Sequence, residues 1–208
     1  MFWGLSFPLS KGVALVHATL VPEASGWLVT ASTIWPRFLL AAAILAVVAH
    51  RRLRGITRLE VWQGVGLGVF MSGGICLQVD GLQHTEASTS AFLSQCYVVL
   101  LPLVVYGRQR RLPSLRLVLG TVMVMAGVVI LADVDWRAMR MGRGELETLL
   151  STLFFTGQIL WLDRPVFAVN RVTPVTLIMF LVVGGVFLGA AAIMADGGGA
   201  LLAPWASM

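Results

Sequence analysis

Apolar positions in this chain run in long blocks instead of alternating, and short polar clusters separate the blocks. Seven apolar segments can be drawn, at about 1–18, 30–49, 61–82, 87–107, 116–133, 146–163 and 174–195. Runs of roughly 17 to 22 residues are what a helix needs to cross a hydrocarbon core. The link between the third and fourth segments is the most telling. Asp80 to Val104, DGLQHTEASTSAFLSQCYVVLLPLV, closes one apolar block, turns over within a few polar residues and opens another. A soluble core has no use for two such segments on so short a link. A bilayer does, because its interior forces each backbone to satisfy its own hydrogen bonds as a continuous helix. The pattern predicts a transmembrane hairpin here and, for the whole chain, an all-α integral membrane protein with about seven spans.

Composition sharpens this. The chain is 58% hydrophobic and 12% charged, with mean hydropathy +0.87, where a soluble domain is about a quarter charged. Fourteen arginines and one lysine give a net charge of +5. They sit in short loops, with no basic stripe interleaved with aromatics, so lipid and not nucleic acid is the expected surrounding partner. Cys76 and Cys96 lie inside apolar runs and read as free thiols, not a disulfide or metal pair. Met1 to Leu9 lacks a basic n-region, so no cleavable signal peptide is expected. There is no HExxH, GxSxG or phosphate-binding glycine loop, and no two carboxylates sit on facing spans in an intramembrane-protease arrangement. Catalytic residues, a cofactor and a metal are therefore not expected, and neither is ATP-driven pumping by this chain alone.

Loop charge orients the spans. Arg51, Arg52, Arg54 and Arg58, then Arg108, Arg110, Arg111 and Arg116, then Arg164 and Arg171 all fall on one side. The other side has only Arg137, Arg140 and Arg143, interleaved with Asp133, Asp135, Glu145 and Glu147. Basic loops are expected to be cytoplasmic and the 81–86 turn outside, in a cell membrane. The exception at 137–143 is either an interfacial segment or a sign that the sixth span starts elsewhere. Phe2 to Lys11 aligns on Phe155 to Arg164 at an offset of 153, and Thr33 to Ala41 on Leu177 to Gly185 at 144. An odd number of spans between the copies makes the second one inverted.

Several residues carry candidate chemistry. Lys11 either snorkels to the outer surface or presents a cation to substrate. Arg37 follows Pro36 and reads as an interfacial anchor beside Trp35, or as a cation drawing an anionic group into a water-filled cavity. Asp80 either ends its helix in the headgroups or carries a proton or pairs with Arg37, which makes it the coupling or gating candidate. Gly64, Gly68 and Ser72 form a small-residue stripe that lets a neighbour approach closely. Gln78 lies near that stripe, whereas Asp80 falls nearly opposite, so the two do not share a face. Ser90, Ser94 and Tyr97 share a face of the fourth segment, for interhelical hydrogen bonds or a polar cavity wall. Gln158 and Trp161 are the polar-handled residues of the sixth. Gly185 and Gly189 read as a close-packing pair, and Pro8 and Pro102 as interruptions of spans. His17, His50 and His84 fall at segment ends or loops, where water or headgroups account for them.

Gly81-Leu82-Gln83-His84-Thr85, Ala87-Ser88, Ala91-Phe92-Leu93, Tyr97-Val98-Val99 and Pro102-Leu103 resemble the third-to-fourth helix passage of the EamA family, in the drug/metabolite transporter superfamily. Trp3-Gly4 with Lys11 resembles the start of its first helix, Arg37 to Ala41 its second, and Pro113-Ser114 through Gly120 and Gly127 its fifth. The resemblance implies a ten-helix carrier of two inverted five-helix repeats around a central cavity, with both termini cytoplasmic. It also implies movement of small metabolites such as amino acids or related solutes, frequently outward. Against that pattern the chain lacks the first turns of helix one and ends after helix seven. Residues 1–133 are then expected to form the first repeat and 146–208 the beginning of the second. Asp80 is a further departure, standing where similar sequences more often carry an uncharged residue.

The expected protein is thus a polytopic helix bundle, an incomplete version of the ten-helix five-plus-five repeat. Its expected function is secondary transport of a small metabolite by alternating access. Lys11, Arg37, Gln78, Ser90, Ser94, Tyr97, Gln158 and Trp161 form the expected substrate-binding set. The alternative is a membrane-embedded binding or assembly subunit, or an inactive fragment, with no transport of its own. Proton coupling through Asp80 and assembly as a homodimer are compatible with the pattern.

Overall fold

The computed structural model describes Gly12, residues 26–132 and residues 142–194. The first predicted span, with Pro8, Lys11 and His17, lies outside the described residues, as do Arg137 and Arg140. All regular structure among the described residues is helical. In order come α1 (Gly26–Val48), a 3-10 turn (His50–Leu53), α2 (Arg58–His84), α3 (Ala87–Ser94), α4 (Tyr97–Arg108), α5 (Leu115–Ala132), α6 (Arg143–Leu162), a second 3-10 turn (Pro165–Phe167) and α7 (Val172–Met194). Four stretches are long and apolar enough to cross a membrane: α1, α2, α3 with α4, and α7. Leu115–Ile130 of α5 is a shorter apolar helix. The chain is a polytopic helical membrane protein.

The centre of the bundle is α2, and its glycines explain why. In lipid there is no hydrophobic drive between helices, so contact depends on how closely backbones and side chains interlock. A Cβ on Gly64 would sit 2.7 Å from Ile178, and one on Gly68 2.6 Å from Val182. This part of the predicted stripe receives α7. A second face, 66, 73, 74 and 81, receives α6: the Trp161 ring fills the space over Gly66, Phe154 lies on Gly73 and Phe155 on Gly74. At Gly81 the approach is backbone to backbone. A Cβ there would meet the Gly144 carbonyl oxygen at 2.7 Å, and one on Gly144 would meet the Gly81 carbonyl oxygen at 2.6 Å.

Helices α1 and α7 complete the core. They run antiparallel and meet near their middles, where Phe38 packs edge-on against Phe180 at 5.7 Å and Leu39 lies over Gly184. Leu28, Ala31 and Ile34 of α1, Val79 of α2, and Val183, Phe187 and Ala191 of α7 are buried together. The close-packing glycine of α7 is therefore Gly184. Gly185 and Gly189, expected in that role, have open space where a side chain would go. One residue is a rotation of about 100°, enough to turn them off the α1 face.

The predicted fourth span is two helices, not one kinked at Pro102. The amides of Gln95 and Cys96 donate to the carbonyls of Phe92 and Leu93, each at 3.0 Å, in place of the carbonyls four residues back. Pro102 lies nearly two turns further on, inside α4. Its missing N–H is absorbed there without ending the helix.

Candidate functional site

Three elements open a cavity of about 400 Å³ next to the α3–α4 break. It is lined by Met71 and Gln78 of α2, by Ser94, Gln95 and Tyr97 around the break, and by Phe155, Gln158 and Ile159 of α6. The glycine face of α2 holds α6 close, and the break turns the Gln95 side chain and the end of α3 toward both. Gln78 donates to the Ser94 hydroxyl at 2.8 Å, and that hydroxyl donates to the Ser90 carbonyl at 2.7 Å. Among the described residues no charged side chain lines the cavity. Its polar groups are amides and hydroxyls, able to donate to and accept from a solute without a charge of their own. A second cavity of about 400 Å³ lies toward the arginine-rich end, between α2, α6 and α7. Gln158 and Ile159 line both. The Gln158 amide, 3.7 Å from the Met179 sulfur, stands between the two.

The structure thus brings together four of the predicted residues: Gln78, Ser94, Tyr97 and Gln158. Ser90 is fully buried and faces α6, 3.4 Å from the Thr148 hydroxyl, which fits an interhelical hydrogen bond. Trp161 does not line this cavity. Its indole N–H donates to the Gln63 carbonyl at 3.2 Å, Trp62, Phe70 and Phe167 surround its ring, and the Arg164 guanidinium stacks 4.1 Å from the ring centre. Arg37 is on an exposed face of α1. Lys11 lies outside the described residues. Cys76 and Cys96 are free and half-buried, and His50 and His84 are exposed.

Asp80 lies one turn before the end of α2. It is fully buried and takes a guanidinium as its partner, Arg143 at the start of α6, at 2.5 Å. Arg143 also pairs with Glu147 at 2.7 Å and stacks on Trp27, 5.8 Å from the ring centre. The other oxygen of Asp80 and the Oε2 of Glu147 are buried without a hydrogen-bond partner among the described residues. Around them, Thr85 donates to Glu145 at 2.6 Å, and Gln83 donates to the Thr30 hydroxyl at 2.7 Å. The starts of α1 and α6 and the end of α2 are thereby tied together. As predicted from helical geometry, Asp80 and Gln78 point different ways, one to α6 and one to the cavity.

The opposite end of α2 has its own ion pair. Glu60 accepts from Arg171 through both oxygens, at 2.7 and 2.9 Å. The same guanidinium donates to the carbonyls of Arg52, Arg54 and Gly55 at 3.2, 3.0 and 2.9 Å. The hydrogen bond to Glu60, against the cost of desolvation and with the help of the Glu60 charge, raises the Arg171 pKa above its ordinary value, so the pair stays ionised. Thr57 and Glu60 also close a capping box at the start of α2. Asn170 donates to the Gln63 side chain at 2.8 Å beside them.

Glu60, Arg143 and Arg171 were not singled out from sequence. The Thr57-x-x-Glu60 signature before an apolar run was a readable signal for the first. So was the Thr148, Ser151, Thr152 and Thr156 stripe of α6, which is fully buried or nearly so. Those hydroxyls return to carbonyls of their own helix, at 2.6 to 2.8 Å.

A helical bundle with four stretches long and apolar enough to cross a membrane, ion pairs towards its ends and a cavity beside the α3–α4 break, defines a multi-pass membrane protein. Residues 1–132 match the EamA-like transporter family, and the chain belongs to that family. Its members are transporters rather than enzymes. No curated protein and no solved structure matches the chain.

Proposed function

We propose that this chain is a secondary transporter that moves a small polar metabolite, such as an amino acid or related solute, outward by alternating access. The observation that carries this reading is the convergence of Gln78, Ser94, Tyr97 and Gln158 on one cavity. The solute sits between α2, the α3–α4 break and α6, and exchanges with the arginine-rich end when Gln158 swings away from Met179. In this reading the arginine-rich loops are cytoplasmic, following the positive-inside rule. Asp80 with Arg143 is the coupling or gating element at the other end. Its oxygen without a partner among the described residues supports that role, because a buried acceptor left unpaired is open to a new partner when the helices move. Arg37 and Lys11 serve the mouth of the path.

Residues 1–133 are the first repeat in this proposal and 146–208 the beginning of an inverted second one. Two things support it. The family match ends at 132, and α1 and α7, the aligned pair, cross antiparallel at their middles as helices related by an in-plane two-fold would. The test is flux of a solute panel in vesicles of both orientations, with Gln158→Ala, Ser94→Ala and Arg37→Ala alongside. A solute whose flux falls at least about tenfold in Gln158→Ala, with the protein still folded, is the expected result. Normal flux in both cavity variants would remove the cavity from the path. The rival reading, a binding or assembly subunit without transport, predicts no flux for any solute and a stable foreign partner on crosslinking.

A further inference from the structure

The segment from Ala87 to Ala132 contains no acidic residue, yet the turn from α4 to α5 carries Arg110 and Arg111 and is flanked by Arg108 at the end of α4 and Arg116 at the start of α5. All four are exposed, and among the described residues no carboxylate pairs with them. Arg171, at the same end of the bundle, is by contrast saturated by Glu60 and three carbonyls. Directly beside the unpaired four, an apolar groove of about 470 Å³ runs between α4 and α5. Pro113 and Leu117 line it at the arginine end, and Phe92 and Val129 at the other. Leu117 to Val129 of α5 spans about 18 Å of helix, against about 15 Å for one leaflet's hydrocarbon. Among the described residues of α5 none is fully buried, and Leu119, Val122, Met123 and Ile130 are exposed.

We propose that this groove is a binding site for an anionic glycerophospholipid of the surrounding bilayer. One acyl chain lies along Leu103, Thr121, Met125 and Val129, and the phosphate-bearing headgroup is held by Arg108, Arg110, Arg111 and Arg116. The match is one of both length and charge. A groove one leaflet long that opens onto four arginines takes a chain with an acidic head, and guanidinium forks suit phosphate oxygens. The site is separate from the solute cavity on the other side of the α3–α4 break.

The test is photocrosslinking of the full chain in phosphatidylcholine vesicles. Trace phosphatidylglycerol or phosphatidylcholine carries a photoreactive group on one acyl chain, and adducts are mapped by mass spectrometry. The expected result is labelling of Leu103 and Leu117 to Val129 by the phosphatidylglycerol probe, competed by unlabelled phosphatidylglycerol. Its preference over the phosphatidylcholine probe should fall about fivefold for each Arg→Gln change among the four, as one basic residue contributes near an anionic surface. Arg→Lys at all four should leave a preference between those of the unchanged protein and of the quadruple Arg→Gln variant, because the charge stays and the fork is lost. Ala126→Phe, which fills the groove and leaves the charges, should abolish labelling while the thermal midpoint holds. Equal labelling by both probes, labelling untouched by the Arg→Gln changes, or crosslinks from α5 to a second copy in place of lipid would each overturn the proposal.

Discussion

Helix α2 carries one buried carboxylate near each end, Glu60 and Asp80, about 30 Å apart along the axis, and the two are held very differently. Glu60 has both oxygens bonded, and its partner Arg171 is anchored by three further carbonyls. Asp80 has one oxygen bonded and, among the described residues, one bare, and its partner Arg143, half-exposed as Arg171 also is, is shared with Glu147. A saturated ion pair fixes a joint, because breaking it leaves several hydrogen-bonding groups without partners at once. A half-satisfied one holds its position with less to lose, and it has an acceptor to spare. The same helix is therefore pinned at its arginine-rich end and poised at the other.

The comparison can be broken from either side. Glu60→Ala should have the largest effect, lowering the thermal midpoint in detergent by roughly 6 to 10 °C, since the capping box with Thr57 is lost together with the acceptor for the Arg171 amide and guanidinium. A drop of a degree or two would mean the arginine-rich end is not pinned. Gly144→Ala comes next, at roughly 5 °C, because its Cβ meets the Gly81 carbonyl and the His84 backbone, neither of which can rotate aside. Asp80→Asn keeps shape and removes the charge, and should cost about 3 °C or less while changing solute flux. If it destabilises as much as Glu60→Ala, the two ends are alike and the contrast fails. Gly185→Ala should shift the midpoint by about 1 °C at most, in the stabilising direction, because open space lies where its methyl goes. Loss of stability there would restore the role that Gly184 takes from it.

The spans were legible because lipid imposes a long apolar period that nothing else in the chain imitates. The cavity was half legible for a related reason. Gln78, Ser94, Tyr97 and Gln158 are polar residues inside apolar runs, so each had to face something other than acyl chains. Sequence could not say which helices bring them together, and so Trp161 was grouped with them although its N–H is used on Gln63. Asp80 was legible as unusual but not its partner. Arg143 looked like an exception to loop charge until α6 was seen to place it on Asp80. The break at Gln95–Cys96 had no glycine or proline to announce it, and Pro102 drew attention to the wrong turn. The tighter amide bonds to Phe92 and Leu93 are visible only in the fold.

The central claim is that solute occupies the space between α2, the α3–α4 break and α6. Cys96 stands in that break, half-buried, between two lining residues. In a Cys76→Ser background that still transports, maleimide labelling of Cys96 in bilayers should slow by at least about fivefold when a transported solute saturates the protein, and return to its basal rate on washing it out. An unchanged labelling rate under the same saturating solute, with flux intact, would place the solute elsewhere.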